Sequence, residues 1–369
     1  MITNWDFILY LYLLLSSLYF LLLSAINRGL NRFVISDGNQ DYSISIIIAA
    51  RNEEKRIIPC LASLERLDFP QDKYEIIFVD DHSVDKTASV ISAYCNNHRN
   101  WKLISLDNIG NRLKGKKNAL QTGISQAKGE LIFTTDADCI VPPKWLKNMS
   151  GYFSSDISMV LGYSPLVNSN KWYFRLLQFD NLFSTIVSAA TAKLGYPFTS
   201  VGRNMAYRKD AYEHVGDFFS LKKFRSGDDV HLTGQFRSYI DGRIDFCAEE
   251  DTFVKTHIPS TDLEVVQQQI RKNSKTLQLS GWSILGMLMI LLYYLVLILF
   301  PFTVPSLLTL WLFLLSLKFL MEFILLKKAA KIFKQSDLIP YLPLMQLLYP
   351  PYIIIFSAIG LFQFYQWKN

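Results

Sequence analysis

Leu131-Ile132-Phe133-Thr134-Thr135-Asp136-Ala137-Asp138 is an apolar run that ends in two carboxylates separated by one small residue. Short runs of this kind read as buried strands, so Asp136 and Asp138 are expected at a strand's carboxyl end. Mg²⁺ and Mn²⁺ prefer carboxylate and phosphate oxygens, and Mg²⁺ sites commonly use one or two carboxylates and let substrate phosphates complete the shell. The triplet is therefore a candidate divalent-cation site. Taken alone, the triplet is a weak signal, because acidic pairs at strand ends are commonly solvated turns.

A second apolar run upstream, Ile76-Ile77-Phe78-Val79, ends the same way in Asp80-Asp81, followed by Ser83, Asp85 and Thr87. In an open parallel sheet the ligand crevice lies beyond the carboxyl ends of the strands, so both acidic pairs are expected to face one nucleotide. For Asp85 and Thr87 the simpler reading is capping and starting the next helix.

The chain has 369 residues, half of them hydrophobic, with 26 Phe and 19 Tyr. That composition fits one soluble domain plus helices for lipid. Phe7 to Ile26 carries no charge and has the length of about 20 residues that a helix needs to cross hydrocarbon. Asp6 in front of it and Asn27-Arg28 behind it are the wrong flanks for a cleaved signal peptide. Three further spans are expected at Gly281 to Phe300, Pro305 to Leu326 and Leu344 to Phe364. The last is interrupted by Pro350 and Pro351, which kink a helix or mark a re-entrant segment.

Arg28 and Arg32 follow the first span, Arg271, Lys272 and Lys275 precede the second, and Lys327, Lys328, Lys331 and Lys334 follow the third. All fall on one side, which the positive-inside tendency makes cytosolic, with the soluble part on that side. These clusters account for the net charge of +6, and no nucleic-acid module is present. Lys318 and Glu322, four apart inside the third span, read as a structural ion pair. Cys60, Cys95, Cys139 and Cys247 lack CxxC spacing and suggest neither a zinc site nor a disulfide framework.

Residues 42–260 alternate between strand-like and helix-like stretches. Ser43 to Ala50 is a β-branched run suited to a buried parallel strand, and Glu54 to Leu67 has helical spacing. After the Ile76 strand come Asp85 to Asn96 as helix, Trp101 to Leu106 as strand and Asn118 to Ala127 as helix, before the Leu131 strand. The order predicts an α/β domain with a mostly parallel sheet. The expected organisation is an N-terminal transmembrane helix over 1–27, a catalytic domain over 42–260, an interfacial amphipathic helix over 261–280 and a C-terminal transmembrane region over 281–369.

Seven segments in order carry a family resemblance. They are Ile47-Ile48-Ala49-Ala50-Arg51-Asn52-Glu53-Glu54, Val79-Asp80-Asp81-His82-Ser83-Val84-Asp85-Lys86-Thr87, Gly115-Lys116-Lys117-Asn118-Ala119-Leu120, Asp136-Ala137-Asp138, Gly202-Arg203-Asn204, Gly227-Asp228-Asp229 and Gln268-Gln269-Ile270-Arg271. The chain resembles membrane-bound family-2 inverting glycosyltransferases, of the type that includes ceramide glucosyltransferase and bacterial lipid and polysaccharide synthases. The resemblance implies a GT-A type nucleotide-binding domain.

It also implies site roles. Ala49, Glu53, Asp80 and Asp81 line the nucleoside pocket. Asp136 and Asp138 hold Mn²⁺ or Mg²⁺ against the donor diphosphate, Asp138 as the direct ligand. Lys116 approaches the donor or belongs to a solvated basic loop. Asp229 aligns with the catalytic base, its pKa raised by partial burial and by Asp228. Gly202 and Asn204 form an acceptor-side loop. Gln268 and Arg271, at i and i+3 of the interfacial helix, face the donor, where Arg271 can grip diphosphate oxygens.

Two departures from the family pattern bear on the acceptor. Asp228 stands where Glu is commoner, and Lys272 stands where the family's Gln-x-x-Arg-Trp has tryptophan. Loss of that indole weakens the case for a processive polymerase. The expected activity is transfer of a hexose from a nucleotide sugar, a uridine diphosphate sugar by preference, to a lipid acceptor at the cytosolic leaflet of the cell (inner) membrane. The alternatives are a polyprenyl-phosphate glycosyltransferase, a short polysaccharide synthase and, with little support, a non-enzymatic membrane scaffold.

Overall fold

The computed structural model describes residues 4–33, 41–106, 115–167, 169–215, 228–238, 242–274 and 281–361. Contacts divide the chain into two compact units. One comprises Phe33–Ser169 and Val187–Ile258, and the other Met1–Arg32, Asn170–Ile186 and Pro259–Asn369.

The first unit is built on a seven-stranded sheet. In chain order its strands are β1 (Ile44–Ala50), β2 (Tyr74–Asp80), β3 (Trp101–Ser105), β4 (Leu131–Asp136), β6 (Ile157–Gly162), β7 (Met205–Arg208) and β8 (Arg243–Cys247), and β5 (Cys139–Ile140) pairs apart with β9 (Lys255–Thr256). The spatial order is β3-β2-β1-β4-β7-β6-β8. β1 pairs in parallel with β2 and β4, while β7 runs antiparallel to both of its neighbours. The near-continuous burial of β1 follows from its position, because a central parallel strand is covered on both faces. Ile44, Ile46 and Ile48 join one core with Ile57, Leu61 and Leu64 of α2 (Ile57–Leu64) and Trp145 and Met149 of α5 (Trp145–Ser150). Ile47 faces the other way, against Gly123 of α4 (Lys116–Ser125), where an added Cβ would lie 2.5 Å from Ile47 Cγ2.

α3 (Thr87–Cys95) and α7 (Lys209–Val215) are further helices of this unit, and α2 begins later than the expected Glu54. Asn52 takes a left-handed φ of +53°, and a turn from Glu53 to Arg56 precedes the helix. Pro59 then falls in the first turn of α2, where a missing N–H costs no helical bond.

The second unit holds four helices long and apolar enough to cross a membrane: α1 (Asn4–Leu30), α10 (Gly281–Thr303), α11 (Leu308–Ile332) and α12 (Leu342–Leu361). α12 runs as helix through Pro350 and Pro351, while Pro340 sits in the 3-10 segment Ser336–Tyr341 before it. α6 (Phe174–Lys193), from inside the expected 42–260 stretch, contributes residues up to Ile186 to this unit. α9 (Asp262–Ser274) lies along α12. Tyr352 Oη donates to Gln269 Oε1 at 2.8 Å, and an added Cβ on Gly360 would lie 2.9 Å from Ser274 N. Lys272, at the position where tryptophan was expected, reaches the buried Asp180 of α6 at 2.5 Å, and Asp180 also accepts from Tyr349 Oη at 3.2 Å.

Lys318 and Glu322 form the pair their spacing suggested, with Nζ 2.8 Å from Oε1 and both side chains nearly excluded from solvent. Gln346 contacts both, and Tyr19 Oη donates to Glu322 at 2.5 Å. Removing one partner of such a pair strands the other charge, at a cost of about 3–5 kcal/mol, whereas replacing both with apolar groups costs far less. Lys318→Met is therefore expected to lower the unfolding temperature in detergent sharply, and adding Glu322→Leu to restore most of the loss, as read by thermal unfolding of the three proteins.

Candidate active site

The register around β1 sets the site. Ala50 pairs with Asp80 on one side, and Ala49 pairs with Asp136 on the other. The two acidic strand ends thus flank the carboxyl end of one central strand. At an inter-strand spacing of about 4.8 Å they stand about 10 Å apart across it.

On the β2 side, the loops after β1 and β2 are latched to each other. Asn52 N–H donates to Ser83 Oγ at 3.0 Å, Val84 N–H to Asn52 Oδ1 at 2.9 Å, Glu53 N–H to Thr87 Oγ1 at 2.8 Å and Lys86 N–H to Glu54 Oε2 at 3.0 Å. Asp85 accepts from the N–H groups of Glu54 and Thr87, the structural role its position suggested. Asp80 is buried. Its Oδ2 accepts from Ser83 N–H at 3.2 Å, but its Oδ1 has no hydrogen-bond partner among the described residues. Asp81 has Arg51 at 3.8 Å and His82 Nδ1 at 3.0 Å, and Glu53 has Arg56 Nε at 3.3 Å. Ala49 adds a small, half-buried surface beside them.

On the β4 side, Lys116 Nζ contacts Asp136 Oδ1, and Arg56 lies 3.9 Å from Asp138 Oδ2. Burial by itself would push the Asp136 pKa up, but Lys116 and then Arg203 outweigh it and hold the carboxylate below its ordinary range. Burial works against the Lys116 ammonium too, and Asp136, Asp228 and Asp229 outweigh it and raise its pKa. Ligand atoms of Asp136, Asp138 and Cys139 lie within 4.8 Å of one another. Burial, then Asp136 and Asp138, raise the Cys139 thiol well above its ordinary value, so it stays protonated. What remains is a pair of carboxylate oxygens, a donor set that fits Mg²⁺ or Mn²⁺.

Asp228 and Asp229 open α8 (Asp228–Ser238). Asp229 Oδ2 accepts from Gly202 N–H at 3.1 Å and Oδ1 from Val230 N–H at 2.9 Å, which fixes the carboxylate plane. Gly202 is in turn held by Thr134 Oγ1, which donates to its carbonyl at 2.8 Å. The approach is close: a Cβ on Gly202 would stand 3.3 Å from Asp229 Cβ, so a side chain here would have to displace Asp229 slightly. Lys117 Nζ lies 3.1 Å from Asp228 Oδ1 with its side chain buried. The first two residues of α4 thus reach opposite acidic groups: Lys116 goes to the β4 end and Lys117 to the α8 end.

The structure therefore gathers Asp136, Asp138, Lys116, Asp228, Asp229 and Gly202 around one cleft, with the Asp80 loop across β1. Asn204 does not join them. It is fully buried, its Nδ2 donates to the Tyr163 and Thr252 carbonyls at 2.7 and 2.9 Å, and its Oδ1 accepts from Trp145 Nε1 at 3.0 Å. With its amide committed to the core, Asn204 offers no edge to an acceptor and instead anchors the chain after Gly202. Gly227 lies outside the described residues. Gln268 and Arg271 sit on α9 of the second unit. Sequence reasoning assigned no role to Lys117 or to Thr134. A hydroxyl inside the apolar β4 run was the available signal for Thr134.

A nucleotide-binding α/β domain with an Asp-x-Asp pair at a strand end and a carboxylate across the cleft defines the GT-A class. Residues 45–216 match Glycosyl transferase family 2, and the chain carries a domain of that family. It is 27% identical over 191 residues to the glycosyltransferase AglE of Haloferax volcanii, covering 52% of this chain and 60% of that protein. It is 30% identical over 112 residues to the beta-monoglucosyldiacylglycerol synthase of Synechocystis, 30% of this chain and 23% of that protein. The match to the probable glycosyltransferase YdaM of Bacillus subtilis covers 42% of it, so the chain spans less than two thirds of each of these relatives. Over 96% of both chains the fold is that of the mannosyltransferase PcManGT from Pyrobaculum calidifontis, solved with GDP-Man and Mn²⁺, at a TM-score of 0.60 and 19% identity.

Two outcomes follow from this geometry. Asn204→Ala should cost about 2–4 kcal/mol, because it strands two buried carbonyls and an indole N–H, and it is read as a lower melting temperature. An unchanged melting temperature with a raised acceptor KM would return Asn204 to the acceptor side. For the Lys116–Asp136 pair, a lowered carboxylate pKa gives stability that is present above the unfolded value near 3.9 and lost as pH falls through the folded one. A raised ammonium pKa gives stability that is present below the unfolded value near 10.4 and lost as pH rises through the folded one. The stability difference between wild type and Lys116→Met should accordingly be flat from about pH 5 to pH 10 and shrink outside that window, as measured by denaturant unfolding across pH.

Proposed function

We propose that this chain is an inverting glycosyltransferase that moves a hexose from a nucleotide sugar, by preference a uridine diphosphate sugar, to a membrane lipid. The observation that carries the reading is the convergence of Asp136, Asp138, Lys116 and Asp229 on one cleft at the strand ends, with Asp80 Oδ1, which has no hydrogen-bond partner among the described residues, on the other side of β1. A buried carboxylate oxygen lacking a donor suits a ring N–H or ribose hydroxyl of a nucleoside. Asp136 and Asp138 are the residues to hold the divalent cation. That cation, when bound, offsets the diphosphate charge and stabilises the nucleoside diphosphate as leaving group.

Asp229 is the general base. Its two backbone donors leave the carboxylate in a single orientation, and an acceptor hydroxyl hydrogen-bonded to it loses its proton during attack on the anomeric carbon. Inversion follows when attack comes from the face opposite the leaving diphosphate. The raised Lys116 ammonium is available to the diphosphate oxygens throughout.

Four apolar helices and a relative named for a glucosyldiacylglycerol product support a lipid acceptor. A cytosolic position for the family-2 domain, at the inner membrane, rests on the basic clusters. Lys328 Nζ donates to the Asn27 carbonyl at 3.1 Å, so the carboxyl ends of α1 and α11, with Arg28 and Lys331, share one end of the bundle. A polyprenyl-phosphate acceptor is the second reading. It is favoured by Arg203, whose Nε is buried without a hydrogen-bond partner among the described residues and whose charge acts on Asp136.

Purified protein in detergent, given Mn²⁺, a lipid extract and a panel of nucleotide sugars, should release nucleoside diphosphate with one donor preferred. Asp138→Ala and Asp229→Asn should each lower release by about 100-fold or more. Full activity in both variants would remove the site assignment, and mass spectrometry of the product separates a neutral from a phosphate-bearing lipid.

A further inference from the structure

We propose that Lys116 is a stand-in cation: its ammonium holds Asp136 while the cleft is without donor, and it passes to the diphosphate oxygens when Asp136 and Asp138 take up a divalent ion. This rests on the cation and donor reading above. The cleft gathers carboxylates together with the cations that balance them: Lys117 on Asp228, Arg56 near Asp138 and Arg203 acting on Asp136 beside Lys116. Asp136, Asp138, Asp228 and Asp229 all border it, and like charges this close destabilise one another unless a cation lies among them.

Lys116 supplies that charge at one of the two carboxylates proposed to hold the divalent ion, since Nζ sits against Oδ1 of Asp136. The contact is exchangeable by construction. The side chain is 36% exposed, so it lies in a cleft open to solvent, and its four-carbon stem swings from a Cα fixed at the start of α4. Gly115 just before it takes φ +63°, a left-handed conformation that sets the direction in which α4 begins. Lys117 cannot trade places with it. That ammonium is 8% exposed and paired with Asp228, which makes it a fixed charge beside a movable one.

A lysine that occupies a cation ligand has opposite effects on two binding events. It competes with the divalent ion in the absence of nucleotide, and it adds to nucleotide affinity once displaced. Removing it should therefore tighten the first and weaken the second, and so shrink the coupling between them. A lysine fixed on Asp136 would shift each affinity through its charge but leave the coupling between the two ligands unchanged.

The test uses the full chain in detergent, titrated with Mn²⁺ alone and then with UDP, the sugar omitted so that no turnover occurs. Free Mn²⁺ is read by electron paramagnetic resonance. Lys116→Met is expected to bind Mn²⁺ about tenfold more tightly than wild type without UDP, and UDP about tenfold more weakly in saturating Mn²⁺, whereas Lys116→Arg keeps both wild-type affinities within about threefold. GDP replaces UDP if the donor panel selects a guanosine sugar. Lys116→Gln repeats the measurement with a polar side chain.

Equal or weaker Mn²⁺ binding in Lys116→Met and Lys116→Gln, both with wild-type melting curves, overturns the proposal. Failure of both variants to fold overturns it too, because the lysine is then a structural pair. Mn²⁺ binding that Asp138→Ala does not weaken removes the cation site itself. Binding lost in Asp138→Ala but unchanged in Lys116→Met removes only the stand-in role.

Discussion

The parallel register about β1 is the constraint on which the site depends. Because Ala50 pairs with Asp80 and Ala49 with Asp136, two strand-end carboxylates are carried to either side of one strand and cannot separate without breaking the sheet. Everything else at the cleft is adjusted to that fact. The loops after β1 and β2 bind each other through five backbone-to-side-chain hydrogen bonds, and α4 sends one lysine to each acidic group. The sheet is the rigid member, and the charged side chains are the adjustable one.

Charge balance explains why adjacent lysines have such different surroundings. Lys117 is sealed against Asp228 and acts as a permanent counterion, which keeps the first turn of α8 from repelling the rest of the cleft. Lys116 sits on the open side, where a ligand can alter its partners. An isolated view of Gly115-Lys116-Lys117 as a basic loop misses this, since the difference comes from which acid each ammonium meets and not from the residue type.

The parts of the fold that could be read from the chain were those carried by periodicity and length. β1, β2 and β4 are unbroken β-branched or apolar runs, and α1, α10 and α11 are apolar stretches long enough to cross a membrane, so both announce themselves locally. The acidic strand ends were legible for the same reason. What escaped notice depends on partners far away in sequence. Nothing in Met205–Arg208 says that it inserts antiparallel between β4 and β6. Asn204 looks like an acceptor contact until Tyr163, Thr252 and Trp145 are seen to consume its amide. Lys272 reads as a missing indole until Asp180 is found buried beneath it.

Gly360 has a consequence of its own. It brings the last turn of α12 against the main chain of α9 at Ser274, with no room for even a methyl group unless one of the helices backs away. The two helices therefore touch backbone to backbone, and any larger residue there acts as a wedge between them. Since α9 carries Gln268 and Arg271, one of the most sterically intolerant points of the apolar half is an unremarkable glycine nine residues from the end of the chain.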